Sequence, residues 1–315
     1  MPRISLQTAR AFAMALTLAA CAGARGGPGG VTAPVPFNAS QRVVSSATGG
    51  TISFAQMADA AAKADMVFFG EQHDDDESHR AELALLTAIG ERRPNVVLSL
   101  EMFERDVQPV VDAYLAGTID EAAFRAQSRP WPNYTADYRP LLELAKAKRW
   151  PVVASNIPRR IASTVSRRGL PAIDSLPAAD RGFVAQEWSC PTDKYYENFM
   201  AVMGGAHAGA TSPSPSGARP MMDLFYESQC SKDETMAESI VLARSKAGPD
   251  AIVVHFNGAF HSDFGLGTVA RVRRRLPDAE TVVISAVPTP DPTKAKAAEF
   301  LNRGQFIIMA LRTKP

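Results

Sequence analysis

Beyond about residue 50 the chain alternates between two hydrophobic periods. Short apolar runs, of the kind that fill a strand covered on both faces, alternate with longer stretches whose apolar residues fall three and four apart. Phe54 to Ala64 reads as a helix, 65–70 as a strand, and Glu77 to Gly90 as a helix with Leu83, Leu86 and Ile89 on one stripe and Gly90 as its stop. Asn95 to Glu101 reads as a second strand, followed by helical patterns at 106–116, around 120–127 and at 138–148. Residues 151–156 form a third strand pattern, after which Pro158 suits the first position of a helix. From 158 to 248 strand signals vanish and helical patterns dominate, broken by a Gly/Ser/Pro-rich patch at 204–220 that reads as a mobile loop. Strand patterns resume at 250–257, 281–286 and near 305–311. Together these predict an α/β fold: a mostly parallel sheet flanked by helices, with 158–248 as a helical insertion subdomain on one edge.

The start of the chain does not follow this pattern. Arg3 and Arg10 flank a basic start, residues 11–20 are apolar, and Cys21 follows at once. That run is too short to span a bilayer, which takes ~20 apolar residues. Leu18-Ala19-Ala20-Cys21 resembles a bacterial lipobox, whose cysteine is lipidated after cleavage; the alternative is a soluble exported protein cut after Ala-x-Ala. Residues 22–50, rich in Gly, Ala, Pro, Ser and Thr, predict a flexible linker. The expected organisation is therefore a lipoprotein signal at 1–21, a linker at 22–50 and one α/β domain at 51–315. Its expected place is the bacterial cell envelope, lipid-anchored to a membrane and facing the periplasm or the surface.

Charge and cysteine content narrow the partners. The chain carries 34 basic and 33 acidic residues for a formal charge of +1, and no basic block stands out, which argues against nucleic acid. Beyond Cys21 there remain Cys190 and Cys230, in a compartment that permits disulfides; a bridge and two buried thiols both stay open. With no Cys-x-x-Cys pattern, cysteine-ligated zinc is not expected.

Candidate chemistry collects where strands end. Gly70-Glu71-Gln72-His73 and Gly258-Ala259-Phe260-His261 both follow apolar runs, and the carboxyl ends of parallel strands are where ligands bind. Glu101 closes the second strand, Asn156 the third, and His255 lies near the end of the fourth. If these strands are neighbours, Glu71, His73, Glu101, His255 and His261 converge on one crevice. Carboxylates and neutral imidazoles suit a divalent metal (Mn, Zn or Fe) or general acid–base work. The plainer alternatives are helix capping for Glu101 and Asn156, a satisfied core or rim position for the histidines, and solvent exposure for His79. The run Asp74-Asp75-Asp76-Glu77 lacks an EF-hand's glycine and reads as favouring a helix N-terminus. Trp131, Tyr134 and Tyr138 form an aromatic, proline-punctuated loop able to wall a flat ligand. Phe199, Met200, Met203, Met221, Met222, Phe225 and Tyr226 add an adaptable apolar surface with His207 in the patch beside it.

Several of these segments carry a resemblance. Phe68 to Asp74, Leu100 to Arg105, Tyr138 to Ala145, Ser155 to Arg159, Gln229 to Ala237 and Asn257 to His261 resemble, in order, the blocks of the ChaN-like haem-binding lipoproteins. That family is grouped with TraB, TIKI and erythromycin-esterase-like proteins, some of which are metal-dependent hydrolases. The resemblance implies a haem-binding lipoprotein of haem or iron uptake, with Tyr134 or Tyr138 ligating iron; from their own settings, His207 is a candidate second ligand or switch, with solvent exposure the alternative, and Arg159 or Arg160 at a helix start suits the propionates. Because a shallow site on one subunit would leave a porphyrin face exposed, a haem-bridged homodimer is expected alongside that resemblance. The alternative it implies is a peptidase or esterase in which Glu71, His73, His255 and His261 hold a divalent metal. Glu71, His73, Glu101 and His261 would then be catalytic.

Overall fold

The computed structural model describes residues 40–206 and 220–312. Cys21, His207, the expected signal, and most of the expected linker and mobile loop lie outside the described residues. The chain opens with β1 (Gln41–Ser45), β2 (Thr51–Ile52), α1 (Phe54–Ala61), β3 (Met66–Glu71), α2 (Asp76–Arg92) and β4 (Val96–Glu104). There follow α3 (Gln108–Leu115), α4 (Glu121–Ser128), α5 (Arg139–Lys148), β5 (Val152–Asn156), α6 (Arg159–Arg168) and α7 (Ala178–Arg181). The remainder is α8 (Lys194–Ala206), α9 (Met221–Ala247), β6 (Ile252–Gly258), α10 (Gly267–Arg275), β7 (Thr281–Thr289) and β8 (Phe306–Leu311).

The strands form one eight-stranded sheet in the order β2-β1-β8-β7-β3-β6-β4-β5. All pairs from β8 to β5 are parallel, while β1 runs antiparallel to β2 and β8. The predicted α/β class is thus the observed one. Every position of β3 and β6 is buried, as strands covered on both faces require. On one face Val67, Phe69, Leu98, Leu100, Val254 and Phe256 pack under α1 to α5. On the other, Met66, Phe68, Val97 and Val253 meet Ala237 and Ile240 of α9 and Val269 and Val272 of α10.

Three boundaries differ from expectation for physical reasons. Residues 41–45 fall within the expected linker but form β1, because Val43 and Val44 bury side chains while their backbone pairs with β8. Gly90 does not stop its helix: α2 continues to Arg92, and a Cβ at Gly90 would run into the indole ring of Trp150. The stretch 158–248 is helical, yet α9 is no edge appendage; it covers the second face of the sheet. Among the described residues no helix is long and apolar enough to cross a membrane.

Candidate functional site

Chain order sets the site. After β3 the chain passes over one position to β4, then β5, and later returns to lay β6 between β3 and β4. Ligand crevices open at such reversals, outside the strands' carboxyl ends. Here β3 delivers Glu71 and His73, β6 delivers Gly258 and His261, and β4 delivers Glu101. The β4–β6 ladder ends at Leu100–Phe256 and the β4–β5 register shifts between Leu100 and Glu104, which frees Glu101 to turn into the crevice.

The polar floor is two linked pairs around Gly258. His73 donates from Nδ1 to Glu71 Oε1 at 2.6 Å, and Tyr138 donates its hydroxyl to the same oxygen at 2.8 Å. The His73 ring lies edge-on to Trp131, with centroids 4.8 Å apart. Glu101 Oε2 accepts from the Gly258 amide at 2.8 Å, and Glu101 Oε1 lies 3.3 Å from His261 Nε2. The other nitrogen of His261 lies 2.8 Å from Asp233 Oδ1, whose carboxylate also accepts from Thr268 and Tyr195.

Burial works against every one of these charges, and the partners reverse it. Glu101 is buried, yet His261 beside it holds its carboxyl below the usual range. Burial likewise disfavours the His261 imidazolium, but Glu101 and Asp233 raise it to about 9. Glu71 is held below its ordinary range against burial by hydrogen bonds from His73 and His79. His73 is raised above its ordinary value, burial notwithstanding, through its bond to Glu71. At neutral pH Glu101 and His261 therefore form a charged pair.

Above it opens a crevice of about 650 Å³. Trp131, Phe199, Met203, Phe225 and Phe260 supply flat or adaptable walls, and Arg159 and Lys232 place cations on its lining. His73, Glu101, Asn156 and His261 line the polar side.

The structure thus brings Glu71, His73, Glu101 and His261 together. It does not add His255, which registers with Phe68 and Ser99 on the face under α9. Its Nδ1 meets Ser99 Oγ at 2.9 Å, and burial pushes its pKa down to about 4. Glu71, His73, His255 and His261 therefore do not form one coordination sphere. Tyr134 and Tyr138 also depart from expectation. Both are buried in the main core and absent from the crevice wall: Tyr134 packs on Phe103 and Phe124, and Tyr138 is spent on Glu71. Burial raises both phenols, Tyr138 further through the Glu71 charge, so neither is placed to give a tyrosinate to a ligand in the crevice. Arg159 lines the crevice with its side chain 73% exposed. Arg160 instead points to Asp106 and Asp180 at 2.5 and 2.6 Å.

Sequence reasoning missed His79, Glu82, Asp233 and Tyr195 as parts of the site. All four are buried polar groups; Asp233 and Tyr195 find their partners in distant segments, while His79 and Glu82 pair within α2 and with Glu71 at the end of β3. The one local hint for Asp233 is that α9, 27 residues long, shows no single apolar stripe and buries polar residues such as Ser231, Asp233, Glu234 and Thr235. The open question on cysteines resolves as a bridge between Cys190 and Cys230.

Fold and site together define an α/β protein that holds a ligand crevice between its sheet's carboxyl edge and a helical cover. Residues 57–272 match the family described as haem-binding uptake, Tiki superfamily, ChaN, and the chain belongs to that family. No curated protein matches it. Among solved structures it resembles ChaN of Campylobacter jejuni, described for cofacial heme binding, with a TM-score of 0.62 at 15% identity over 86% of this chain and 97% of that one. At that identity the likeness is one of fold. Fainter likenesses reach a bacterial protein toxin (TM-score 0.41, 15% identity, 76% of this chain and 38% of that one) and a Bacillus cereus protein (0.42, 11%, 74% and 68%). Neither carries an argument.

Proposed function

We propose that this chain is a membrane-anchored haem-binding lipoprotein that acts in haem or iron uptake by binding and handing on haem. The observation that carries this reading is the crevice itself: aromatic and methionine walls on one side, cations on its lining, and an imidazole on its floor. Porphyrin faces need flat apolar contact, and propionates need cations, for which Arg159 and Lys232 are placed. His73 would hold the iron. Its Nδ1 is fixed by Glu71, while both nitrogens of His261 are engaged by carboxylates. Haem held there would supply the iron that the protein binds and hands on; the protein's own part is to orient the imidazole and exclude water. His207 remains a proposed second ligand, and Cys21 the proposed lipid attachment. A crevice on one subunit leaves one porphyrin face open, which supports pairing of two copies across haem.

The test is a hemin titration of the protein lacking residues 1–21. Binding with a Soret shift that His73→Ala abolishes, that Arg159→Ala weakens about tenfold (~1.4 kcal/mol) and that Tyr138→Phe leaves in place is expected. A wild-type protein that gives no hemin response sinks the reading. For the anchor, Cys21→Ser should move the chain out of the membrane fraction; retention there would refute lipid attachment.

A further inference from the structure

Glu71 uses only one of its carboxylate oxygens in the crevice. The other, Oε2, lies 3.1 Å from Nδ1 of His79, and the same nitrogen lies 3.1 Å from Glu82 Oε2. All three residues are buried, and their ligand-type atoms lie within 4.8 Å of one another. We propose that Glu71, His79 and Glu82 bind one divalent first-row transition cation, of the class of Mn2+, Fe2+ or Zn2+. The site shares only Glu71 with the crevice and stands or falls independently of haem binding.

Four observations carry it. First, His79 Nε2 donates to the carbonyl oxygen of His73 at 3.2 Å, so a cation that displaces the proton on Nδ1 meets that nitrogen's lone pair between the two carboxylates. Second, Nδ1 lies 3.1 Å from each carboxylate, within the roughly 3.0–3.4 Å that separates ligands ~2.1 Å from one ion and about 90–110° apart. Third, Glu82 is wholly buried and, among the described residues, its Oε1 has no hydrogen-bond partner, although uncompensated buried carboxylate oxygens are costly. A cation at Nδ1 balances both carboxylates at once. Fourth, the outer groups are in place, with Tyr138 and His73 donating to Glu71 Oε1 and Asp137 Oδ2 3.6 Å from His79 Nε2. One imidazole and two carboxylates is a donor set for these metals. His79 and Glu82 stand one turn apart on α2 and so present their ligand atoms together.

The probe is the metal alone. The untagged protein is loaded in turn with Mn2+, Fe2+ (anaerobically) and Zn2+, passed over chelating resin, and its metal content measured by plasma mass spectrometry. About one ion per chain should be retained, with at least a tenfold loss of affinity in Glu82→Gln and His79→Gln and none in His261→Gln. On the unmutated chain, the bound cation should raise the unfolding temperature in a concentration-dependent way. X-ray absorption should show a light-atom shell with a single imidazole. The last two readouts need no variant and hold even where a buried substitution prevents folding. A wild-type chain that retains none of the three cations overturns the proposal, as does full retention by a folded Glu82→Gln or a spectrum with two or more imidazoles.

Discussion

Glu101 and His261 face each other across the crevice floor, Oε1 to Nε2 at 3.3 Å, each almost wholly buried. They come from β4 and from the turn after β6, two strands paired in the sheet, so tertiary structure alone makes the contact. With Asp233 on its other nitrogen, His261 is an imidazolium held between two carboxylates.

This fixes the sign of a pH dependence. The folded pKa of His261, about 9, exceeds its ordinary value of 6.5. Its stabilisation is therefore complete below pH 6.5 and disappears as pH rises through 9. The shift corresponds to about 3 kcal/mol between those limits. Urea unfolding across pH 6 to 10, compared between wild type and His261→Gln, measures it. The wild-type curve should fall by this amount more than the variant's; parallel curves would refute the imidazolium assignment.

Gly258 keeps the two halves of the floor together. Its φ of −58° suits any residue, so the backbone does not demand glycine. Space does: a Cβ there would lie 2.6 Å from His73 Nε2 and 2.7 Å from its Cε1. The His73 side chain is 45% exposed and can swing outward, so Gly258→Ala should fold at a cost near ~1 kcal/mol. The ring would leave Glu71, and its raised pKa should fall back towards 6.5. An NMR titration of His73 reads this directly, and an unmoved pKa would show that the ring tolerates the methyl group.

At Gly90 two effects have opposite signs. Helix propensity favours Gly→Ala inside α2 by about 1 kcal/mol. Against it, the new Cβ would sit 2.5 Å from Trp150 Cζ2, a rigid ring buried between α5 and the core. Overpacking of this kind costs roughly 1–3 kcal/mol, so Gly90→Ala should destabilise overall. Urea midpoints check the sign, and Trp150→Leu in the same chain should restore the propensity gain.

Gly90 also marks what the sequence could and could not reveal. Largely apolar runs reveal β3, β4, β6 and β8 because burial on both faces confines polar residues to a few positions, mostly near the carboxyl ends. The two Gly-x-x-His strings are readable because a loop after a buried strand has one place to go. The helix stop assigned to Gly90 failed because its cause, Trp150, lies on another element. His79 was read as facing solvent from its acidic neighbours, yet it is buried against Glu71 and Glu82. The resemblance offers Tyr134 or Tyr138 as an iron ligand, yet the Tyr138 hydroxyl is consumed by Glu71. A polar group satisfied by a distant partner leaves no periodic trace in its own segment. For the same reason Asp233, on an unstriped helix, was invisible.

The Cys190–Cys230 bridge closes a separation of 40 residues and pins the segment before α8 to the middle of α9. Those two helices carry Phe199 and Phe225, which face the crevice and belong to the small cluster around Tyr195, Tyr226 and Cys230. That cluster is separate from the main core; α9 holds its far half to the sheet, and Phe260 and the Tyr195–Asp233 bond hold the near half. Restricting a loop of this length in the unfolded chain is worth roughly 2–4 kcal/mol. Reduction, or the Cys190→Ser/Cys230→Ser double variant, should therefore lower the unfolding free energy by that amount while leaving the sheet folded. The wall should loosen before the core does. Hydrogen exchange should rise in α8 and the first half of α9 and stay unchanged in β3, β4 and β6. Uniform protection in both states would show that packing around Tyr195 and Phe260 suffices to hold the wall without the bridge.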